Sequence, residues 1–351
     1  MSRKKLLLVM SIFLLVSCSK YRADRMLEQG AKFASQGQWE LAIAKYQEAV
    51  KVKPDYAKAH HLLGVAYGKA GRWEEAMEEF ERTVELDPGF GEAYYSLGLA
   101  LSRLERWEDA VEAFREAVRK NPADDKAFFN MGVAYSMLGR WEDASSAYRE
   151  ASTFQPNNLE YQYNLGLACI ECGKYQEAAT ALESALALEA DFPDASACAA
   201  MAYFKLGNLE KALVYANQAL RSPTLSTQSR RYLGEIFLNQ KRFTEAIEQY
   251  KTTVELEPSS VNGWFQLGVA NTEAGKTDDA LSAFMKVIEL EPSNAEAHYR
   301  LGLLYISAQK LADAFKEYAV LTDIDEKLAE DLSQKLNEAQ KAQQVQETPP
   351  Q

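Results

Sequence analysis

The sequence predicts an all-α chain in which one helical hairpin is written nine times, and three periodicities carry that reading. Alanine recurs every 34 residues at Ala42, Ala76, Ala110, Ala144, Ala178, Ala212, Ala246, Ala280 and Ala314. Glycine keeps the same step at Gly30, Gly64, Gly98, Gly132, Gly166, Gly234, Gly268 and Gly302, and proline keeps it at Pro54, Pro88, Pro122, Pro156, Pro258 and Pro292. A fixed period of this length without insertions marks a stacked array of supersecondary units.

Position 1 of the unit falls at Ala23, Ala57, Gly91, Asp125, Leu159, Pro193, Thr227, Val261 and Ala295. Apolar or small residues at positions 4, 7, 8 and 11 share one face of a first helix, and those at 20, 24 and 27 share one face of a second. Two helices of about 14 residues leave room only for short turns, so each unit is an antiparallel hairpin. Glycine inside a helix costs about 1 kcal/mol relative to alanine. Its recurrence at position 8 therefore predicts a close approach of the second helix, expected against the alanine at position 20. Gly37, Gly71, Gly139, Gly173, Gly207 and Gly275 fall between the two helices, where a left-handed C-cap is wanted. The Asp-Pro, Asn-Pro and Glu-Pro pairs end the second helix. A single hairpin cannot cover its own apolar faces, so neighbours must stack.

Within the unit, Leu63-Gly64, Tyr67, Ala76, Phe80 and Pro88 stand at the spacing of the tetratricopeptide repeat. The chain resembles that family over residues 23–323. The resemblance implies a right-handed α-solenoid superhelix of nine units, with a concave groove lined by positions 2, 5, 9, 12 and 13 that receives segments of protein partners.

Residues 1–17 read as a signal peptide. Arg3, Lys4 and Lys5 precede an apolar run from Leu6 to Val16, which is too short to span a bilayer. Leu15-Val16-Ser17-Cys18 resembles the lipobox of bacterial lipoproteins, which implies lipidation of Cys18 and a short tether over residues 18–22. Several acyl chains, at about 0.8 kcal/mol per buried methylene, give stable anchoring. Ser19 resembles the outer-membrane sorting signal, so the expected location is the bacterial envelope. Fully extended, Ser19 to Arg22 would reach at most about 14 Å. Removing residues 1–17 takes away three basic residues and no acidic ones. That leaves 36 basic against 51 acidic residues, a net charge of −15. Such a balance argues against nucleic acid and anionic lipid as electrostatic partners.

Trp39, Trp73, Trp107 and Trp141 share position 17 and read as packing residues at the start of the second helix. Ala270 to Thr277 fits a loose phosphate-loop pattern, but its Gly275-Lys276 occupies the same turn as Gly71-Arg72. The chemistry needs a strand, a glycine-rich loop and a helix. Cys169 and Cys172 form a C-x-x-C late in a helix, where a thiol gains no help from a helix N-terminus. They read as packing residues, with a strained disulfide between them also open. His60 and His298 at position 4 read as core, and His61 as facing elsewhere and alone. No catalytic set, cofactor site or metal site stands out.

The informative differences lie on the first helices. Position 5 carries Tyr95, Phe129 and Tyr163 in repeats 3 to 5, and Phe265 and Tyr299 in repeats 8 and 9. Position 9 backs the first three with Leu99, Val133 and Leu167, and Asn130 and Asn164 at position 6 offer amides to an extended backbone. This strip is the expected partner-binding groove. The Lys and Asn pattern by which family members grip chaperone carboxyl termini is absent from positions 5 and 9.

In the sixth copy Ala199-Ala200 replace Leu-Gly and Ala216 replaces the large residue of position 24, so a softer junction is expected over 193–226. Ile324, Leu328, Leu332 and Leu336 predict a capping helix over 324–340, followed by a tail, 341–351, too polar to fold. The whole reads as a non-enzymatic, lipid-anchored adaptor for protein partners in assembly of an envelope machine. The alternatives are a glycan- or peptidoglycan-binding module, or a regulatory subunit of an envelope hydrolase.

Overall fold

A computed structural model describes the backbone of residues 3–222 and 224–347, and side chains over 19–222 and 224–343. Among the described residues all regular structure is helical. The chain divides into two compact units, Met1–Glu189 and Ala190–Gln351.

The first unit comprises α1 (Arg3–Ala34), α2 (Trp39–Val52), α3 (Ala57–Lys69), α4 (Trp73–Leu86), α5 (Gly91–Arg103), α6 (Trp107–Lys120), α7 (Asp125–Met137), α8 (Trp141–Phe154), α9 (Leu159–Glu171) and α10 (Tyr175–Leu188). Each second helix packs on its own first helix, and α2, α4, α6 and α8 pack also on the first helix of the next repeat. The second unit holds α11 (Pro193–Lys205), α12 (Leu209–Ala219), α13 (Thr227–Asn239), α14 (Phe243–Leu256), α15 (Val261–Glu273), α16 (Thr277–Leu290), α17 (Ala295–Ser307), α18 (Leu311–Ile324) and α19 (Glu326–Glu347).

The hairpin closes where the period placed it. Gly37, Gly71, Gly139, Gly173, Gly207 and Gly275 have φ between 68° and 79°, and Glu105, Lys241 and Gln309 take the same left-handed turn in the other three repeats. The alanines of position 20 are fully buried. The glycine of position 8, however, makes room for a different residue. A Cβ on Gly64 would lie 2.7 Å from the Phe80 ring, and one on Gly98 or Gly132 equally close to Phe114 or Tyr148, all at position 24. The expected partner, position 20, is corrected accordingly: the ring one helical turn further along crosses the glycine.

A second device repeats along the array. In four repeats the side chain at position 4 reaches the carbonyl of the proline six residues earlier, in the turn that follows the preceding helix. His60 Nε2 reaches Pro54 O at 3.0 Å, Gln162 Nε2 reaches Pro156 O at 3.0 Å, Trp264 Nε1 reaches Pro258 O at 2.9 Å and His298 Nε2 reaches Pro292 O at 3.0 Å. His60 and His298 are buried, as expected of core residues.

The sixth repeat is rebuilt. Ala200 and Ala216, standing where other units place glycine and a ring, are both fully buried. Two small side chains thus replace the glycine and large-residue pair, and the helices meet without a ring between them. α12 is shorter than the other second helices, and the next repeat packs directly on α11 through Ala197, Ala200, Leu233 and Phe237, with Leu225 filling the join. The two compact units meet in sequence between Glu189 and Ala190, ahead of the 193–226 stretch.

At the N-terminus, Ser19 to Arg22 continue α1 as helix instead of an extended tether. Four helical residues rise only about 6 Å. The signal peptide and Cys18 lie outside the described side chains. At the other end α19 buries Ala329, Leu332 and Leu336, while Ile324 ends α18 and is exposed. The helix runs to Glu347, where an unfolded tail was expected from 341. Gln, Lys, Ala and Glu are good helix formers and need no core to extend a turn already nucleated. Residues 348–351 lie outside the described part.

Candidate functional site

Tyr95, Leu99, Phe129, Asn130, Val133, Tyr163, Asn164 and Leu167 all lie on α5, α7 and α9 of the first unit, and each is half-buried. One part of each side chain helps hold neighbouring first helices together and the other part reaches the surface. The helix register explains this. Position 5 follows the core position 4 by one residue, about 100° around the helix, and so falls at the edge of the buried stripe.

The seam has a recurring geometry: position 5 of one repeat meets position 6 of the next. The Tyr95 hydroxyl accepts from Asn130 Nδ2 at 3.3 Å, and its ring tilts against Phe114 at 5.9 Å between centroids. One repeat earlier His61 Nε2 lies 3.3 Å from Ser96 Oγ, with Phe80 and Phe90 at 5.6 Å and 4.8 Å. His61 is therefore not alone. It is the buried counterpart of Tyr95, and burial pushes its imidazole below the usual histidine range. Phe129 stacks on Tyr161 at 4.8 Å and tilts against Tyr148 at 5.5 Å.

The asparagine amides are oriented differently from the expectation. Asn130 Nδ2 donates to Lys126 O as well as to Tyr95, and Asn164 Nδ2 donates to Glu160 O, both backbone contacts at 2.8 Å. A side-chain amide one helical turn from a carbonyl closes on it readily. This leaves the side-chain carbonyl oxygens, rather than the amide hydrogens, to meet an incoming backbone N–H.

Tyr161, buried beneath the same strip, and Asp125 support it and stand outside the residues that the sequence singles out. The Tyr161 hydroxyl donates to Asp125 Oδ2 at 2.8 Å, bridging α9 and α7. The signal was present: position 3 is alanine in five repeats and tyrosine only here. Burial, followed by the Asp125 hydrogen bond, raises the Tyr161 phenol. Burial and then the carboxylates of Asp124 and Asp125 also raise Tyr95. The strip thus presents neutral phenols beside acidic groups.

In the second unit Phe265 packs edge-on against Phe284 at 5.5 Å and borders a recess of 370 Å³ together with Val261, Asn262, Asn294 and Glu296. The Tyr299 hydroxyl donates to Asp331 of α19. Burial and that bond push Tyr299 up to about 12. Tyr299 is thereby tied into the capping contact.

The candidate cysteines are free thiols. Burial pushes Cys169 up to about 12, far from a reactive thiolate. Trp39, Trp73, Trp107 and Trp141 are half-buried at the first position of their helices. Among the described residues no cluster of His, Cys, Asp or Glu could hold a metal ion.

The model of the Cilia and flagella-associated protein 70 C-terminal domain, a tetratricopeptide-repeat model, matches residues 58–263. Two further repeat models, described as TPR repeat and tetratricopeptide repeat, match residues 30–71 and 265–329. No curated protein matches the chain. Among solved structures, the Cut9–Hcn1 hetero-tetramer of the APC/C is similar with a TM-score of 0.55 at 15% identity, over 90% of this chain and 76% of that one. A crystal structure of MamA protein is similar at 26% identity with a TM-score of 0.46, over 48% of this chain and 93% of that one. YrrB, titled a TPR protein with an unusual peptide-binding site, is similar at 21% identity with a TM-score of 0.48, over 50% and 91%.

Proposed function

Since the chain belongs to the tetratricopeptide-repeat family, we propose that it is a lipid-anchored adaptor holding an extended segment of a protein partner along α5, α7 and α9. The observation that carries the reading is the half-buried strip itself. Tyr95, Phe129 and Tyr163 recur one repeat apart, and Asn130 and Asn164 beside them have their amide hydrogens engaged by helix carbonyls, which leaves the side-chain oxygens to accept. Apolar surface rimmed by acceptors suits an extended backbone, which carries its own donors. The lipid anchor rests on Leu15-Val16-Ser17-Cys18 behind a basic and apolar leader. It puts the adaptor in the bacterial envelope, in assembly of a membrane-associated machine. Stacked repeat arrays of this kind present extended surfaces suited to binding.

A glycan would need ring faces open for stacking, and Phe129 already stacks on Tyr161. This favours the protein partner.

A photo-crosslinking amino acid at Asn164, in the full chain in cells, should give one discrete protein adduct, while the same group at the exposed Ser146 on α8 should give none. Equal labelling from both positions, or none from Asn164, refutes the groove. For the anchor, Cys18→Ser should move the protein out of the membrane fraction, and unchanged fractionation refutes lipidation.

A further inference from the structure

In repeats 2, 4 and 7 the side chain of position 11 is an aromatic ring clasped by polar neighbours from the same places in the unit. The Arg72 guanidinium lies 4.5 Å over the Tyr67 ring, and the Tyr67 hydroxyl accepts from Gln47 Nε2 at 2.7 Å. Arg140 lies 4.7 Å over Tyr135, whose hydroxyl accepts from Arg115 at 3.2 Å. Arg242 lies 4.4 Å over Phe237. In these repeats the clasping groups come from position 16 of the same repeat and, in repeats 2 and 4, position 25 of the one before, whereas in repeat 6 Lys211 of position 19 lies 4.4 Å over Tyr203.

Repeat 8 keeps both clasps, as Lys276 and Lys251, and has Asn271 in place of the ring. The space so vacated is a cavity of 370 Å³ among α14, α15 and α16, bordered by both lysines and walled by Val254, Trp264 and Leu267. Asn271 is only 3% exposed, and its side-chain oxygen has no hydrogen-bond partner. A buried polar atom left in this state calls for an occupant. Repeat 5 also lacks the ring, having Cys169, but its clasps are engaged elsewhere. Arg149 binds Glu177 at 2.5 Å and Lys174 donates to Ser145 at 3.1 Å. Neither Lys251 nor Lys276 has an ion-pair partner among the described residues.

We propose that this cavity receives a tyrosine side chain of a partner polypeptide, hydroxyl first. The phenol O–H donates to Asn271 Oδ1, the ring lies along Trp264, Leu267 and Val254, and the ammonium groups of Lys251 and Lys276 face the ring as the arginines do in other repeats. The chain's own architecture argues for this occupant, since tyrosine fills the equivalent place in repeats 2 and 4. The site lies in repeats 7 and 8 and is independent of the strip in repeats 3 to 5.

The test uses the full chain labelled with fluorotryptophan, with the Trp264 resonance assigned by a Trp264→Phe variant. N-acetyl-tyrosinamide should shift that resonance saturably. N-acetyl-phenylalaninamide, which lacks the donor, should bind at least about tenfold more weakly. Asn271→Tyr, which restores the ring of the other repeats, should abolish the shift and raise the melting temperature. Asn271→Leu should remove the preference for the tyrosine amide, and serves if the first variant does not fold. Variants at Tyr95 and Phe129 should leave the response intact, so this proposal and the groove reading can fail separately. No saturable shift in the parent chain, equal affinity for both amides, or an undiminished shift in Asn271→Tyr overturns the proposal. Tighter binding of p-cresol than of the tyrosine amide would assign the cavity to a small phenol and overturn the polypeptide occupant.

Discussion

His60 Nδ1 lies 2.5 Å from Glu79 Oε2, so the first helix of repeat 2 is joined to its second by a short contact beneath the surface. The other ring nitrogen faces the Pro54 carbonyl at 3.0 Å. Both partners are acceptors, and only the imidazolium can donate to both. Burial works to lower the His60 pKa, but the Glu79 carboxylate and the Pro54 carbonyl outweigh it, and the value stands above the ordinary one. A raised folded value means that the stabilisation is fully present below the unfolded pKa of about 6.5 and is lost as pH rises through the folded value. Between pH 6 and pH 8.5 this contribution lowers the urea midpoint while His61, held below the ordinary value, raises it, so the His60 part is read from a variant that removes its partner. Glu79→Gln should cost about 1–3 kcal/mol at pH 6 and flatten this part of the profile. An unchanged profile in the variant would remove His60 as its source.

The glycine of position 8 and the ring of position 24 form one packing unit. In repeat 4, a Cβ on Gly132 would stand 2.7 Å from Tyr148. Gly132→Ala should therefore destabilise by about 1–3 kcal/mol through overpacking, even though alanine is the better helix former. In repeat 6 the opposite change, Ala200→Gly, should cost about 1–2 kcal/mol from helix propensity and the lost buried methyl, because Ala216 needs no such space. Equilibrium unfolding of both variants checks the pair. A stabilising Gly132→Ala would show that the ring yields freely.

The 34-residue period made most of the fold legible. It gave the register of helices such as Trp73–Leu86, the left-handed turn at Gly71, and the stop before Pro88. What it missed depends on contacts between copies or across a hairpin. Nothing in the period says that Gly64 meets Phe80 instead of Ala76, since both share one helical face. The strip of Tyr95, Phe129 and Tyr163 was visible as a departure from uniformity. Its stacking partner Tyr161 stands at position 3, a small core position in most repeats, and the Asn130 amide closes on Lys126 by a local preference that repeat logic does not encode. The space beside Asn271 was hidden for the same reason, because its walls come from two repeats.

Glu105, Lys241 and Gln309 hold φ between 57° and 58° in the turn that six other repeats give to glycine. A side chain there strains the backbone by about 1–2 kcal/mol. Glu105→Gly should stabilise by about 0.5–1 kcal/mol, the relief being partly offset by the greater freedom of glycine in the unfolded chain. Thermal unfolding gives the sign directly, and the same change at Lys241 should agree with it.

At the end of the array the capping helix takes over a task that belongs to the second helix elsewhere. Tyr318 holds position 24 of repeat 9, yet the atom a Cβ on Gly302 would meet, at 2.5 Å, belongs to Leu332 of α19. Tyr318 is displaced outward and borders an 870 Å³ cleft against α19. Leu332 is fully buried, together with Leu321 and Ala314. Leu332→Ala should therefore cost about 2–5 kcal/mol, the range for an aliphatic side chain removed from a core. Phe284→Ala, at position 24 of repeat 8, should cost about 3–5 kcal/mol, and Tyr318→Ala clearly less than either. The order of the three is the decisive result. If Tyr318→Ala is the most damaging, the ninth hairpin packs like the others, and α19 covers it without entering its core.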